Sequence, residues 1–502
     1  LLGGACDKKK PAPAEPATRA AAPGKVRART LASKSVHFVG RQRCGACHAE
    51  ELKKWTGSHH DLALALPSNE SIRADLKLRP SKKGGEPAAQ IEAAGASIVA
   101  ITEGETGKTE RFPITHVVGT EPLQQYLVTL SEGRLQPLRL SFDTRKKEEG
   151  GQRWFYQYPE ESIPPGDLLH WTGPNQNWSG MCADCHSTGV SRGYSAATKS
   201  FDTQWFEIDV SCEACHGPGS DHEKWAQGFQ TSDAGAARPH AADDPLGFAF
   251  PLRGSSVNSW MPDPSRGIAR QAATGARPNE MGACGYCHSR RETLLEGAAP
   301  TPDLLQRVSP ELAVTPNYHA DGQVKEEVYV WGSFTQSKML AAGATCSDCH
   351  DPHSSQLKAE GNTLCASCHE PQKYEAQAHH FHEGAIPQVQ CVDCHMPSKT
   401  FMGVDLRHDH SLRVPRPDLS LTGDAPNACT SCHDKESKQW ASEQYQKLWG
   451  TPAPGIVDWL VRGTAGDPRV GKNLLTFAMD DAGPVMQRAA ALSVATRMPL
   501  PP

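Results

Sequence analysis

The stretch Cys346-Ser-Asp-Cys349-His350-Asp-Pro-His353, followed by Cys365-Ala-Ser-Cys368-His369, decides how this 502-residue chain is read. Two cysteines three positions apart are followed at once by a histidine, and the pattern returns 19 residues later. Working outward, the same pentapeptide occurs at Cys44-Gly-Ala-Cys47-His48, Cys182-Ala-Asp-Cys185-His186, Cys212-Glu-Ala-Cys215-His216 and Cys284-Gly-Tyr-Cys287-His288. Beyond the opening pair it recurs at Cys391-Val-Asp-Cys394-His395 and Cys429-Thr-Ser-Cys432-His433. Numbered in chain order these are sites 1 to 8. They use 16 of the 17 cysteines and leave only Cys6.

Thiols at this spacing add across the two vinyl groups of one haem, and the imidazole that follows meets the iron, so each pentapeptide reads as a c-type attachment site. Disulfides, or zinc sites built from two CxxC pairs, would account for the cysteines but not for the histidines. With 22 His in the chain, one would follow the second cysteine by chance in about one pair of 23. The expected cofactor is therefore covalent haem c, eight copies, with His48, His186, His216, His288, His350, His369, His395 and His433 as proximal iron ligands.

Composition agrees. Only 38% of residues are hydrophobic, a thin supply for a core unless macrocycles fill part of it. Gly 44 and Pro 39 argue for long loops with short helices. The net charge of -5, before haem propionates are added, disfavours nucleic-acid binding. No apolar run reaches the length of a membrane span. Thioether-bound haem also implies an extracytoplasmic setting: periplasm, outer membrane surface or extracellular space.

Residues 1–35 read as the remnant of a signal peptide and a tether. Leu1-Leu-Gly-Gly-Ala-Cys6 resembles a lipoprotein junction, which makes Cys6 the expected lipid anchor and the membrane contact. Lys8 to Lys10 and a Pro/Ala-rich run follow. Residues 36–435 form the expected octahaem domain. Its 138-residue gap between sites 1 and 2 holds β-prone segments such as Ala96-Ser-Ile-Val-Ala-Ile-Thr102 and Arg153-Trp-Phe-Tyr156, giving a β-rich insertion at about 90–160. Residues Gly217 to Ala283 show no sustained period and are expected to be irregular. Sites 5 to 8 fall within 88 residues and must be close neighbours. From 436 to 502 apolar residues recur at helical spacing, with Asp467-Pro468 and Gly483-Pro484 as helix starts, so a HEAT- or TPR-like helical-repeat segment is expected. The fold class is a multihaem cytochrome c, mainly α and loop, with a small β insertion and a C-terminal helical-repeat segment.

Several longer strings carry a family resemblance: Pro122-Leu-Gln-Gln-Tyr126, His170-Trp-Thr-Gly173, Met181-Cys-Ala-Asp-Cys-His-Ser-Thr188, Cys212-Glu-Ala-Cys-His-Gly-Pro218, Cys391-Val-Asp-Cys-His-Met-Pro397 and Asp409-His-Ser411. With these the chain resembles octahaem c-type cytochromes with C-terminal helical repeats, and its front part is similar to cytochrome c554-like haem domains. The resemblance covers about residues 36–497 and implies electron transfer through haems packed in stacked and edge-on pairs.

Fourteen histidines remain for the distal faces. His353, three positions after His350, cannot cap the same iron but can reach an adjacent one. The resemblance implies His60 as a distal ligand and draws attention to His116, His170, His222 and His410 within matched motifs. His379, His380 and His382 crowd the approach to site 7; two of the three are expected to bind iron, and His380 and His382 are taken as that pair.

Fourteen spare histidines favour closed haems. The leading expectation is an electron conduit without its own substrate site, working with redox partner proteins or neighbouring cytochrome subunits, as a homo-oligomer or polymerising filament. The alternative is an octahaem oxidoreductase acting on a small nitrogen or sulfur compound at one open haem. Reductases of that resemblance tend to carry CxxCK at the active haem. This chain has no such motif.

Overall fold

The computed structural model describes residues 36–80, 89–95, 97–230, 245–249, 252, 260–271, 278–295, 303–382, 389–423 and 425–498. Cys6, the tether and His240 lie outside these residues.

The β-prone stretch between sites 1 and 2 folds into an antiparallel sheet. Its strands are β1 (Leu64–Ala65), β2 (Gln90–Ala94), β3 (Ser97–Glu103), β4 (Thr109–Val118), β5 (Leu123–Thr129), β6 (Leu135–Pro137), β7 (Leu140–Asp143) and β8 (Arg153–Tyr156). The order is β2-β3-β4-β5-β7-β8, with β1 on β4 and β6 on β5. Tyr126, Leu127 and Val128 of the central strand β5 are fully buried, because the sheet is covered on both faces. One face packs Ile91, Ile114, Val117, Tyr126, Phe142 and Trp154. The other sets Leu64, Val118, Leu127 and Leu135 against Trp178, Ala183 and Cys182, which docks the sheet onto site 2.

The haem motifs sit on short helices: α1 (Arg41–Gly45), α2 (Ala183–His186), α3 (Cys212–His216), α5 (Pro278–His288), α6 (Cys346–Cys349), α7 (Asn362–Ala366), α9 (Cys391–His395) and α10 (Cys429–Cys432). Between α3 and α5, where an irregular segment is expected, Ser220–Gln230 forms helix α4. Asp221 and Glu223 in its first turn suit the positive end of the helix dipole, a local signal too short to register as a period. A further turn, α8 (Gln377–His380), precedes α9.

The tail contains α11 (Lys438–Trp449), α12 (Ile456–Thr464), α13 (Gly471–Ala478) and α14 (Val485–Arg497). Leu460, Val470, Leu474, Ala490, Ala491 and Val494 form its core and close on Val314 of the cytochrome domain. The Asp467 side chain caps the turn Pro468–Val470 by accepting the Arg469 N–H, with Pro468 at the first position as the sequence implies. Thus α-helix and loop, a curled β-sheet insertion and a C-terminal helical segment make up the molecule.

Candidate haem centres and their distal faces

Each motif is a single helical turn. His48 N donates to Cys44 O at 2.9 Å, His350 N to Cys346 O at 2.9 Å, His369 N to Cys365 O at 2.9 Å and His433 N to Cys429 O at 2.9 Å. Residues four apart share a helix face, so the first cysteine and the histidine point the same way. All 16 motif cysteines and all eight motif histidines line one continuous cavity of about 3530 Å³. Ordinary small-molecule pockets reach about 1,000 Å³. A thiol pair and an imidazole at every motif, turned into so large a chamber, fit covalent haem c.

The distal side is legible in imidazole pairs. Two imidazoles on one iron, with Fe–N near 2 Å, set ring centroids about 6 Å apart. Six motif histidines face a second imidazole at that distance: His48 and His222 at 6.1 Å, His288 and His60 at 6.3 Å, His216 and His353 at 6.5 Å, His350 and His410 at 6.5 Å, His395 and His379 at 6.0 Å, His433 and His382 at 6.2 Å. The orientation is secured from behind. Nδ1 of His222 meets Leu246 O at 2.7 Å, Nδ1 of His395 meets Arg413 O at 2.8 Å, and Nδ1 of His410 meets His408 O at 2.9 Å. Such bonds turn Nε2 toward the cavity. Burial, reinforced by neighbouring imidazoles, pushes His216 and His288 down to about 4, which holds them in the neutral form that binds metal.

Three expected ligands are placed elsewhere. His116 lies in β4, 9% exposed, with its ring edge-on to Trp205 at 5.4 Å. His170 is 1% exposed and its Nδ1 meets Thr172 Oγ1 at 2.7 Å. Neither lines the cavity: His116 is held in the sheet, and His170 is buried in the turn beside Thr172 and Trp171. His380 lines the cavity, but its Nε2 meets Glu375 O at 3.3 Å, and the neighbouring His379 faces site 7 instead. Phe381, with φ of 56°, reverses the chain between His379 and His382. Sequence proximity alone could not choose among the three rings.

Among the described residues, no second imidazole stands at that distance from His186 or His369. Nδ1 of His186 meets Ala63 O at 3.2 Å. His369 faces the edge of Tyr374 at 5.4 Å. Tyr329 and Arg407 also line the cavity, and Tyr329 lies within electrostatic reach of Cys182 and Cys185 of site 2. Tyr329 has φ of 62°, unusual for a residue with a side chain. Burial, then the charge of Glu327, pushes its hydroxyl up to about 12, so it remains a proton donor. Burial works against the Arg407 charge, but Asp405 at 2.6 Å and Glu327 at 2.8 Å more than offset it.

Helix α5 is the meeting point of the motifs. It contacts α2, α3 and α6, so site 4 adjoins sites 2, 3 and 5. Glu280 ties α5 to α6, accepting Ser347 N at 2.7 Å and Ser347 Oγ at 2.8 Å. Gly285, between the cysteines of site 4, permits close packing: a Cβ there would lie 2.5 Å from Trp331 Nε1. Side chains of Cys44 and Cys212, Cys185 and Cys287, Cys284 and Cys346, and Cys365 and Cys391 adjoin in pairs. Cys349 is near Cys368, and Cys394 near Cys429 and Cys432. The motifs therefore form a series 1-3-4-5-6-7-8, with site 2 a spur on site 4.

The doubled CXXCH motif family matches residues 338–374, and the cytochrome c554 and c-prime family matches residues 172–217. Together with the cavity and its motif histidines, these matches define the chain as a multihaem c-type cytochrome, similar over those residues to the doubled CXXCH and cytochrome c554 families. The dissimilatory sulfite reductase MccA of Wolinella succinogenes is 22% identical over 472 residues, which covers 87% of this chain and 58% of the relative. The chain thus spans 58% of the length of that curated relative. Among solved structures, the outer cell wall cytochrome OcwA matches with a TM-score of 0.50 at 15% identity, over 91% of this chain and 98% of its own. The octahaem sulfite reductase MccA of Wolinella succinogenes, form II, gives a TM-score of 0.35 at 13% identity, over 94% and 84%. The curated relative is an enzyme, and this overturns the expectation of an electron carrier without its own substrate site. Counting spare histidines misleads because a surplus in the chain does not say which rings the fold brings opposite a motif; His116 and His170, for example, do not line the cavity.

Proposed function

We propose that the protein is an extracytoplasmic oxidoreductase with eight covalent haems, acting on a small nitrogen or sulfur compound at site 2. The observation that carries this reading is that His186 faces no second imidazole among the described residues, while six other motif histidines do. Site 6 shares that property but lies inside the series, between sites 5 and 7. Site 2 ends a spur. A haem at each motif supplies one-electron chemistry, and an open distal face supplies a position for a small ligand. Ala63 O fixes the tautomer and orientation of His186. Tyr329 donates a hydrogen bond and Arg407 a fixed positive charge, which together suit a small oxyanion. The name of the curated relative favours a sulfur oxyanion over a nitrogen compound. Electrons are exchanged with redox partner proteins or neighbouring copies of the chain. No helix among the described residues is long and apolar enough to cross a membrane.

The test is spectroscopic and kinetic. Ferric protein is expected to show at least one high-spin haem per chain, the reduced protein to bind carbon monoxide, and a reduced dye to be oxidised on addition of sulfite. Tyr329→Phe is expected to lower turnover about tenfold while leaving the haem bands in place. A protein that is low-spin throughout and inert to sulfite, nitrite and hydroxylamine would sink the reading.

A further inference from the structure

The segment from Gln377 to His382 faces two motif histidines at once: His379 faces His395 of site 7, and His382 faces His433 of site 8. Its internal bonds close a single turn: Phe381 N donates to Gln377 O at 2.7 Å, and His382 N to Nδ1 of His380 at 3.1 Å; one turn is not held by its own bonds alone. The turn between the two rings passes through Phe381 in the left-handed region. Such a segment needs an external anchor if two imidazoles are to keep their aim.

That anchor comes from the tail. Trp449, the last residue of α11, donates its indole N–H to His379 O at 2.9 Å. Its ring meets Phe381 edge-on at 5.0 Å and is backed by Tyr445 at 5.2 Å. The same helix brings Trp440 to 4.9 Å from the ring of His433. Trp440, Tyr445 and Trp449 all line the haem cavity. One face of α11 is therefore a wall of the chamber.

We propose that Trp449 is a positioning residue for two iron ligands, holding His379 and His382 against sites 7 and 8, so that the helical tail takes part in ligating the last two haems. The proposal rests on reading these two imidazoles as distal ligands and is independent of the assignment of site 2. The indole N–H fixes the backbone at His379, and the aromatic contact fixes the turn that carries His382. Loss of both frees both rings.

The experiment compares ferric spin state and carbon monoxide binding in the intact chain carrying Trp449→Ala, Trp449→Phe, Trp440→Ala or His382→Ala, each checked for full haem content. Trp449→Ala is expected to add up to two high-spin haems and as many carbon monoxide equivalents over the parent protein. Trp449→Phe keeps the contact with Phe381 but loses the N–H, and a smaller gain is expected. It also keeps the proposal open to refutation if the alanine variant does not fold. His382→Ala is expected to add one high-spin haem. If His382→Ala acts and neither Trp449 variant does, the positioning role is overturned while the ligand reading stands. If His382→Ala is silent, the ligand reading fails and the proposal with it. Trp440→Ala is expected to add none; a gain equal to that of Trp449→Ala would assign the effect to docking of the whole helix and overturn the role of Trp449.

Discussion

The eight-stranded sheet and the haem chamber sit side by side and are held together in different ways. In the sheet, Tyr126, Leu127, Val128 and Phe142 are wholly buried against other side chains, each such burial worth about 1.5–3 kcal/mol. In the chamber, the helices of sites 1, 5, 6, 7 and 8 are four or five residues long and bury no residue at all. Helices of that length are not stable through their own hydrogen bonds. The contrast teaches that the sheet is ordered by its side chains, and the chamber by thioether and imidazole attachment to cofactors.

The largest effect that would break this contrast is in protein made without haem attachment. Hydrogen exchange is expected to remain slow in β2 to β8 and in α12 to α14 and to become fast across the motif helices. Equal loss in all three regions would show that the sheet depends on the cofactors after all. Next in size, Trp154→Ala removes a large side chain from the sheet core and is expected to cost about 3–5 kcal/mol in denaturant unfolding, with unchanged haem absorption. A shifted haem band would mean that the two regions are mechanically coupled.

The smallest effect concerns His116. Burial pushes it down to about 4, so it is neutral in the folded sheet and charged in the unfolded chain at mildly acidic pH. Its contribution is complete above the ordinary histidine range near 6.5 and is lost as pH falls toward 4, about 3 kcal/mol in all. His116→Gln is expected to flatten the stability profile between those pH values and to leave the haem spectrum alone. A spectral change would return His116 to the ligand set.

The candidate attachment motifs are legible in the sequence because the chemistry needs one fixed local spacing. The sheet and the tail were legible as periodicity, since their faces repeat along a single segment. The pairing of distal candidates with motifs was not, because pairs such as His60 with His288 are joined only by the tertiary fold. His353 was the tractable case: its three-residue offset forbids the iron of its own motif, and the structure places it opposite His216. His116 and His170 show the limit of motif proximity. Both enter the expected ligand set through the family resemblance, yet their rings are spent on Trp205 and Thr172. The hub on α5 left no trace in spacing, because contact among α2, α3, α5 and α6 joins segments far apart in the chain through cross-links such as Glu280 to Ser347.

That hub has an evolutionary consequence. Viewed as a graph, site 4 is a cut vertex and site 2 a leaf. A lineage that lost the pentapeptide at 182–186 would keep an unbroken path from site 1 to site 8. A lineage that lost the pentapeptide at 284–288 would be left with three disconnected fragments. Substitutions at the leaf should therefore accumulate among descendants long before any at the cut vertex.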